Sequence, residues 1–180
     1  MRNSDILTRR KATIEEALAY YDHLEPVHSD FMIGRWKGFE IATGHSMDGL
    51  LEPSGWYGKL FVDRENVHPL LIFTFRKRGI YAINPRLIPL SFPLPRNGLL
   101  KVLMAILSPV LKTKTSRARL RQMEYRGKLT ATMAYDDRPI FDHFAKIDDR
   151  TVLGAMDMKG ESNPYFFVLE RDEESIPIRL

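Results

Sequence analysis

The 180-residue sequence predicts a mainly β fold: an antiparallel β-barrel with an N-terminal helix and an apolar lid helix inserted mid-chain. Three observations predict it. Short runs of aromatic, aliphatic and β-branched residues recur between turn residues, and roughly eight such strands are enough to close a barrel around one small ligand. The first run contains Gly34-Arg35-Trp36-Lys37-Gly38, a large aromatic between two residues without side chains. Glycine lets another group approach closely there, while Trp brings an apolar body and one N–H that needs a partner. A proline-rich stretch followed by an aliphatic helix interrupts the series over residues 85–112.

These features divide the chain into residues 1–30, a helix and lead-in; 31–84, one half of the barrel; 85–118, the proline-rich segment and lid; and 119–180, the other half. Thr13-Ile14-Glu15-Glu16 is a capping box, in which the Thr hydroxyl and the Glu carboxylate each serve an exposed N–H of the first turn. Ile14, Ala17, Leu18 and Tyr21 then share one face, giving a short amphipathic helix that ends near Leu24, ahead of Pro26, and plugs or covers the sheet. After the Gly-x-Trp strand, Trp56–Val62, Pro69–Phe75 and Ile80–Asn84 form a meander with short connections. Leu120–Tyr125 and Lys128–Tyr135 make a hairpin around Arg126-Gly127; in its second arm Leu129, Ala131, Met133 and Tyr135 alternate with Thr130 and Thr132. Ile140–Phe144 reads as an irregular or helical link, and Thr151–Met158 and Tyr165–Arg171 complete the strands.

Prolines 85, 89, 93 and 95 cannot donate to a sheet, so their segment runs extended over a surface. In the helix that follows, Lys101, Ala105, Ser108 and Lys112 form one narrow stripe and the rest is apolar. Such a helix is a buried core element, a partner interface, or a lid over an apolar cavity that rests on a membrane. In the last case Lys112, Lys114, Arg117, Arg119 and Arg121 meet anionic headgroups. The run is too short to span a bilayer, which needs around 20 residues.

Composition narrows the function. Without cysteine there is no disulfide, thiolate or zinc–sulfur chemistry. The polar, basic Met1–Lys11 is no signal peptide and points to cytoplasmic residence. The net charge of +4 is uneven: residues 85–128 hold ten bases against the single acid Glu124, and residues 136–180 hold six bases against eleven acids. Because the basic residues flank an aliphatic helix and not exposed aromatics, lipid or an acidic partner ranks above nucleic acid. Gly44-His45-Ser46-Met47 imitates a nucleophile elbow but has Asp48 where that motif needs a second glycine. Ser46 instead suits the N-cap of a short helix with Asp48 in its first turn. His45, His68 and His143 lack ligand spacing, so no metal site is expected.

Gly34-Arg35-Trp36-Lys37-Gly38, with Trp56-Tyr57-Gly58-Lys59 and Val67-His68-Pro69-Leu70-Leu71, resembles the family named for its GXWXG motif. Tyr125–Asp136, Pro139–Phe144 and Leu153–Asp157 resemble the domain of unknown function that accompanies it. Together the two resemblances cover residues 31–84 and 119–171 and imply a unit, with no reaction attached. A Gly-x-Trp on a first strand also resembles calycins, the superfamily of lipocalins, fatty-acid-binding proteins and nitrobindins. That resemblance implies a calycin-like barrel closed at one end by Trp36 packed under Arg171. It implies no cofactor except through nitrobindins, whose haem takes one axial histidine; His143 is the candidate here.

The expected function is binding of a hydrophobic small molecule or lipid without turnover, with ligand contacts from Trp36, His45, Trp56, Tyr81, Leu103, Met133 and Asp157. Asp157 is the polar anchor of that set unless it is a solvent-exposed residue at a strand end. The alternative is an enzyme on an apolar substrate that uses Asp157 with His45 or His143. A third reading is an interaction scaffold whose interface is the apolar helix.

Overall fold

The computed structural model describes residues 4–74, 76–88, 95–173 and 176–180; of the four prolines for which an extended course is expected, 89 and 93 lie outside them. The chain runs α1 (Ser4–Arg9), α2 (Ile14–His23), β1 (Glu25–Pro26), α3 (Ser29–Met32), β2 (Gly34–Ile41), α4 (Leu51–Ser54), β3 (Trp56–Phe61), β4 (Val67–Phe73) and β5 (Ile80–Ala82). A 3₁₀ turn (Pro85–Leu87) precedes α5 (Gly98–Leu111). Then come β6 (Ala118–Tyr125), β7 (Lys128–Tyr135), β8 (Ile140–Lys146), β9 (Thr151–Met158), β10 (Tyr165–Arg171) and β11 (Ile178–Arg179).

The fold is mainly β. One sheet runs β11-β5-β4-β3-β2-β10-β9-β8-β7-β6, and a further pairing of β4 with β6 joins eight of these strands into a ring. The closing contact is short: Val67 pairs with Ala118, Arg117 N–H donates to the Val67 carbonyl and Leu120 N–H to that of Arg64. β5 and β11 extend the sheet beyond the ring. Inside lies the larger core, with Trp36, Phe61, Val67, Met133, Phe144 and Phe167 among its members.

The N-terminal helices cover the outside. The α2 capping box is present in full, and Ala17, Tyr20 and Tyr21 pack on the outward side chains of Ile41, Ala145, Leu153, Phe166 and Val168. Residues 140–146, expected as a link, are a strand paired on both sides, with β7 and β9. The alternation Ile140, Asp142, Phe144 points inward while Phe141, His143 and Ala145 point out, so a carboxylate on an otherwise apolar face hides the strand period. In β7 both faces are used. Thr130 and Thr132 are buried against Val27 and His143, whereas Leu129 is 63% exposed at the hairpin end.

Ser46 does not cap a helix. Residues 46–49 are turns, and it is Asp48 that organises them, Oδ2 accepting from the backbone N–H groups of Thr43, Gly44 and His45 at 2.9, 2.7 and 3.1 Å. Three N–H groups of one loop converge on a single carboxylate oxygen, which holds the segment leading to α4.

The apolar helix α5 buries Leu100, Met104 and Leu111 against the part of the inner face that continues onto Ile72, Tyr81 and Ile83. Leu99, Val102, Ile106, Leu107 and Val110 are exposed. Among the described residues no helix is long and apolar enough to cross a membrane.

Candidate functional site

A cavity of about 70 Å³ opens inside the ring. The strands contribute Trp56, Leu70, Tyr135, Ile140, Met156, Tyr165 and Phe167; Met47, Leu51, Pro85 and Ile88 supply the wall that strands do not. Three charged residues, Lys59, Arg138 and Asp142, break this apolar surface. Lys59 of β3 and Asp142 of β8 both line the cavity, with Nζ 2.8 Å from Oδ2 and side-chain exposures of 3% and 1%. Lys59 also donates to the Pro69 carbonyl at 3.1 Å and sits 5.0 Å from the Phe167 ring centroid and 5.8 Å from those of Trp56 and Tyr135.

An ammonium among three aromatic faces is favoured by their quadrupoles, and more so without water. The carboxylate has less help. Beyond the ion pair neither Asp142 oxygen has a hydrogen-bond partner among the described residues, and the indole Nε1 of Trp56 has none there either. Burial pushes the Asp142 carboxyl above its usual range while the Lys59 charge pulls it down. Burial, and then the Asp142 charge, pushes the Tyr135 phenol well up.

The covering wall is tied to the strands by a second buried acid. Glu40 of β2 accepts from the Tyr165 hydroxyl at 2.6 Å and from the Gly49 N–H at 2.6 Å. Next to it, burial and then the Glu40 charge push the Glu52 carboxyl up. On the other side Arg138 donates to the carbonyls of Pro85, Arg86 and Ile88 at 3.1, 2.9 and 2.7 Å. These contacts hold Met47 and Leu51, and Pro85 and Ile88, over the cavity.

The Gly-x-Trp-x-Gly stretch shapes this site from outside it. A Cβ on Gly38 would stand 2.2 Å from Cη2 of Trp56, so the missing side chain is the space the cavity-lining indole occupies. One on Gly34, at φ +125°, would stand 2.9 Å from Arg171 Nη1. Between them Trp36 is buried; its Nε1 donates to the Met32 carbonyl at 2.7 Å and the Arg171 guanidinium lies 4.3 Å from its ring centroid. Arg171 also donates to the carbonyls of Ile33 and Phe31.

Of the seven ligand residues expected from the sequence, Trp56 alone lines the cavity. Trp36 and Met133 belong to the surrounding core, and Tyr81 packs beneath α5 with Lys112 Nζ 4.8 Å from its ring. Leu103 is on α5, which contributes nothing to the cavity wall. His45 lines a separate polar cleft with Ser46, Gly160 and Glu161, and its Nδ1 accepts from the Met47 N–H. Asp157 is exposed and points outward, because Met156, its neighbour in β9, takes the inward position. The acid inside is Asp142.

The Asp–histidine pair of the enzymatic alternative is therefore not assembled in the cavity. His143 points outward too, its ring parallel to that of Tyr125 at 3.9 Å and its Nδ1 2.9 Å from Thr132 Oγ1. Burial lowers its pKa to about 4. This packed position, on the face opposite the cavity, does not fit an axial haem ligand. Among the described residues no group of three or more His, Asp or Glu side chains is placed to hold a metal. Lys59, Asp142, Glu40 and Glu52 were not expected at the site. Lys59 stands in an apolar strand and Asp142 lies two residues from both Ile140 and Phe144; once 140–146 is a strand, that spacing turns Asp142 inward.

The basic segment meets the protein's own acids. Arg117, Arg119 and Arg121 stand 3.3, 3.0 and 2.8 Å from Asp137, Asp136 and Glu65.

Two family models match the sequence: that of the GXWXG protein over residues 19–76, and that of a domain of unknown function (DUF4334) over residues 116–171. No curated protein matches. A protein from Thermomonospora curvata, known from a crystal structure, is 33% identical with a TM-score of 0.71 over 94% of this chain and 95% of its own. The chain accordingly belongs to the GXWXG family and carries the DUF4334 domain in its second half.

Proposed function

We propose that the eight-strand ring is a calycin-like barrel that binds a hydrophobic small molecule in its interior without turning it over. The observation that carries this reading is the cavity itself: a wall of aliphatic and aromatic side chains with a few polar groups among them, the general character of small-molecule sites. Its size selects the ligand. At about 70 Å³ it is smaller than a cavity of about 150 Å³ that takes up benzene. A ring-sized molecule therefore enters only as the wall at Met47 or Leu51 gives way, and a lipid tail needs far more room still. Met47 is well suited to yield, being unbranched and adaptable.

The test is titration of the protein with p-xylene, read by calorimetry and by melting temperature. Saturable one-to-one binding that raises the melting temperature is expected, since a ligand of the folded state alone stabilises it by mass action. No heat and no shift up to the solubility limit would count against the cavity as a binding site.

A second observation favours peripheral membrane contact. The exposed apolar arc of α5 is followed directly by Lys112 and Lys114, so the helix suits an anionic lipid surface better than the ion-paired arginines do. Co-sedimentation with phosphatidylserine vesicles, lost on Ile106→Asp, is the expected result; equal sedimentation of wild type and variant would refute it.

A further inference from the structure

We propose that the molecule taken by this cavity is uncharged and carries a hydroxyl group, which donates to Asp142 and accepts from the Trp56 Nε1–H. The inference rests on the binding reading above and names the ligand class of the same site. Two residues that line the cavity carry a buried polar atom with no partner among the described residues, Trp56 at Nε1 and Asp142 at Oδ1, while Asp142 Oδ2 faces Lys59. Buried polar groups in folded proteins are almost always satisfied, so two in one apolar cavity mark a place where something else completes them. Their character is one donor and one acceptor. A hydroxyl is the smallest group that serves both kinds at once.

Charge excludes the alternatives. Lys59 at 2.8 Å already neutralises Asp142, and Arg138, the third charged residue of the lining, is engaged by the carbonyls of Pro85, Arg86 and Ile88. A ligand carboxylate would bring a second anion against Asp142, and an amine a second cation against Lys59, each in a site with little water to screen it. A pure hydrocarbon fills the apolar walls but leaves Trp56 Nε1 and Asp142 Oδ1 unpaired. The rings of Tyr135, Phe167 and Trp56 favour a flat or cyclic body on the hydroxyl.

The experiment uses four probes of one skeleton: p-cresol, p-xylene, p-toluate and 4-methylbenzylamine. Each is titrated into ¹⁵N-labelled protein while the two indole N–H signals are followed. Trp36 is the internal reference, because its Nε1 already donates to Met32. p-Cresol is expected to bind at least tenfold more tightly than p-xylene, about the effect of one well-made hydrogen bond. It should move the Trp56 indole signal and leave that of Trp36 in place. Trp56→Phe keeps an aromatic ring but no N–H, and should reduce the preference for p-cresol over p-xylene to what the donation to Asp142 alone supplies. Equal affinities of the wild type for these two would overturn the hydroxyl assignment while leaving cavity binding intact. Tightest binding of p-toluate or of the amine would overturn it as well. Binding of none of the four would remove both the assignment and the reading beneath it.

Discussion

Lys59→Met is expected to lower the stability of the fold by about 3–5 kcal/mol, the usual cost of removing one partner of a buried ion pair. Methionine roughly preserves the volume of the lysine stem, so the loss is electrostatic: Asp142, with a side chain 1% exposed, keeps its charge and loses its counter-ion. The deficit should depend on pH. In the wild type the Asp142 carboxyl is already raised by burial and held down only by Lys59; without that charge it rises further. A carboxyl whose folded pKa exceeds its unfolded value contributes stability that is fully present below the unfolded value and lost as pH climbs through the folded one. The variant should therefore fall furthest below the wild type at neutral pH and approach it near pH 4. Urea unfolding at several pH values measures this directly. A deficit that does not change with pH would mean that Asp142 is not the charge left stranded. Lys59→Met combined with Asp142→Leu should recover most of the loss, because an apolar pair is no worse than an ionic one in such a place.

Trp36→Ala should cost about 3–5 kcal/mol, as deletion of a buried aromatic commonly does. The indole is fully buried, is hydrogen-bonded to Met32, and carries the Arg171 guanidinium on its face. That last contact is worth on the order of 0.5–2 kcal/mol. For a chain of this length the loss corresponds to a drop in melting temperature on the order of 10 °C. Trp36→Phe keeps a ring under Arg171 and gives up the N–H to Met32, so its drop should be clearly smaller. Melting curves of the two variants decide the matter; an unchanged melting temperature in Trp36→Ala would show that this end of the ring is held by other contacts.

The strands were legible in the sequence wherever apolar and polar residues alternated between clear turns. Lys128–Tyr135 has the expected bounds because Arg126-Gly127 starts it and Asp136-Asp137 ends it. The capping box at Thr13 was equally legible, since the signal is local. The site was not, because its charged residues look like surface. Lys59 and Asp142 are 83 positions apart in the chain, and only the pairing of their strands within one ring makes each the other's counter-ion. Asp142 also concealed its strand, a carboxylate standing where an inward apolar residue is expected. Asp157 misled for the complementary reason: Met156 and Met158 flank it, but parity within β9 sends Met156 inward and Asp157 to solvent. The glycines of Gly34-x-Trp36-x-Gly38 announced close approach without saying of what; the approaching groups are Trp56 of the next strand in the ring and Arg171, far away in sequence. The aliphatic helix had three readings because amphipathicity needs a polar face to orient it. The structure puts Leu100, Met104 and Leu111 inward and leaves Ile106 and Val110 in solvent.

Native mass spectrometry of the wild type beside Ile140→Phe, each exposed to the same mixture of small apolar compounds, tests binding in the ring most directly. Ile140 lines the cavity and is itself buried, so a phenyl ring at that position takes up ligand space without disturbing the outer surface. The expected result is a one-to-one adduct on the wild type and at least a tenfold weaker one on a variant that melts no lower, since filling a cavity does not by itself destabilise a fold that can accommodate the added ring. Equal adducts on both proteins, with the variant folded, would place the ligand elsewhere and contradict a binding site inside the ring.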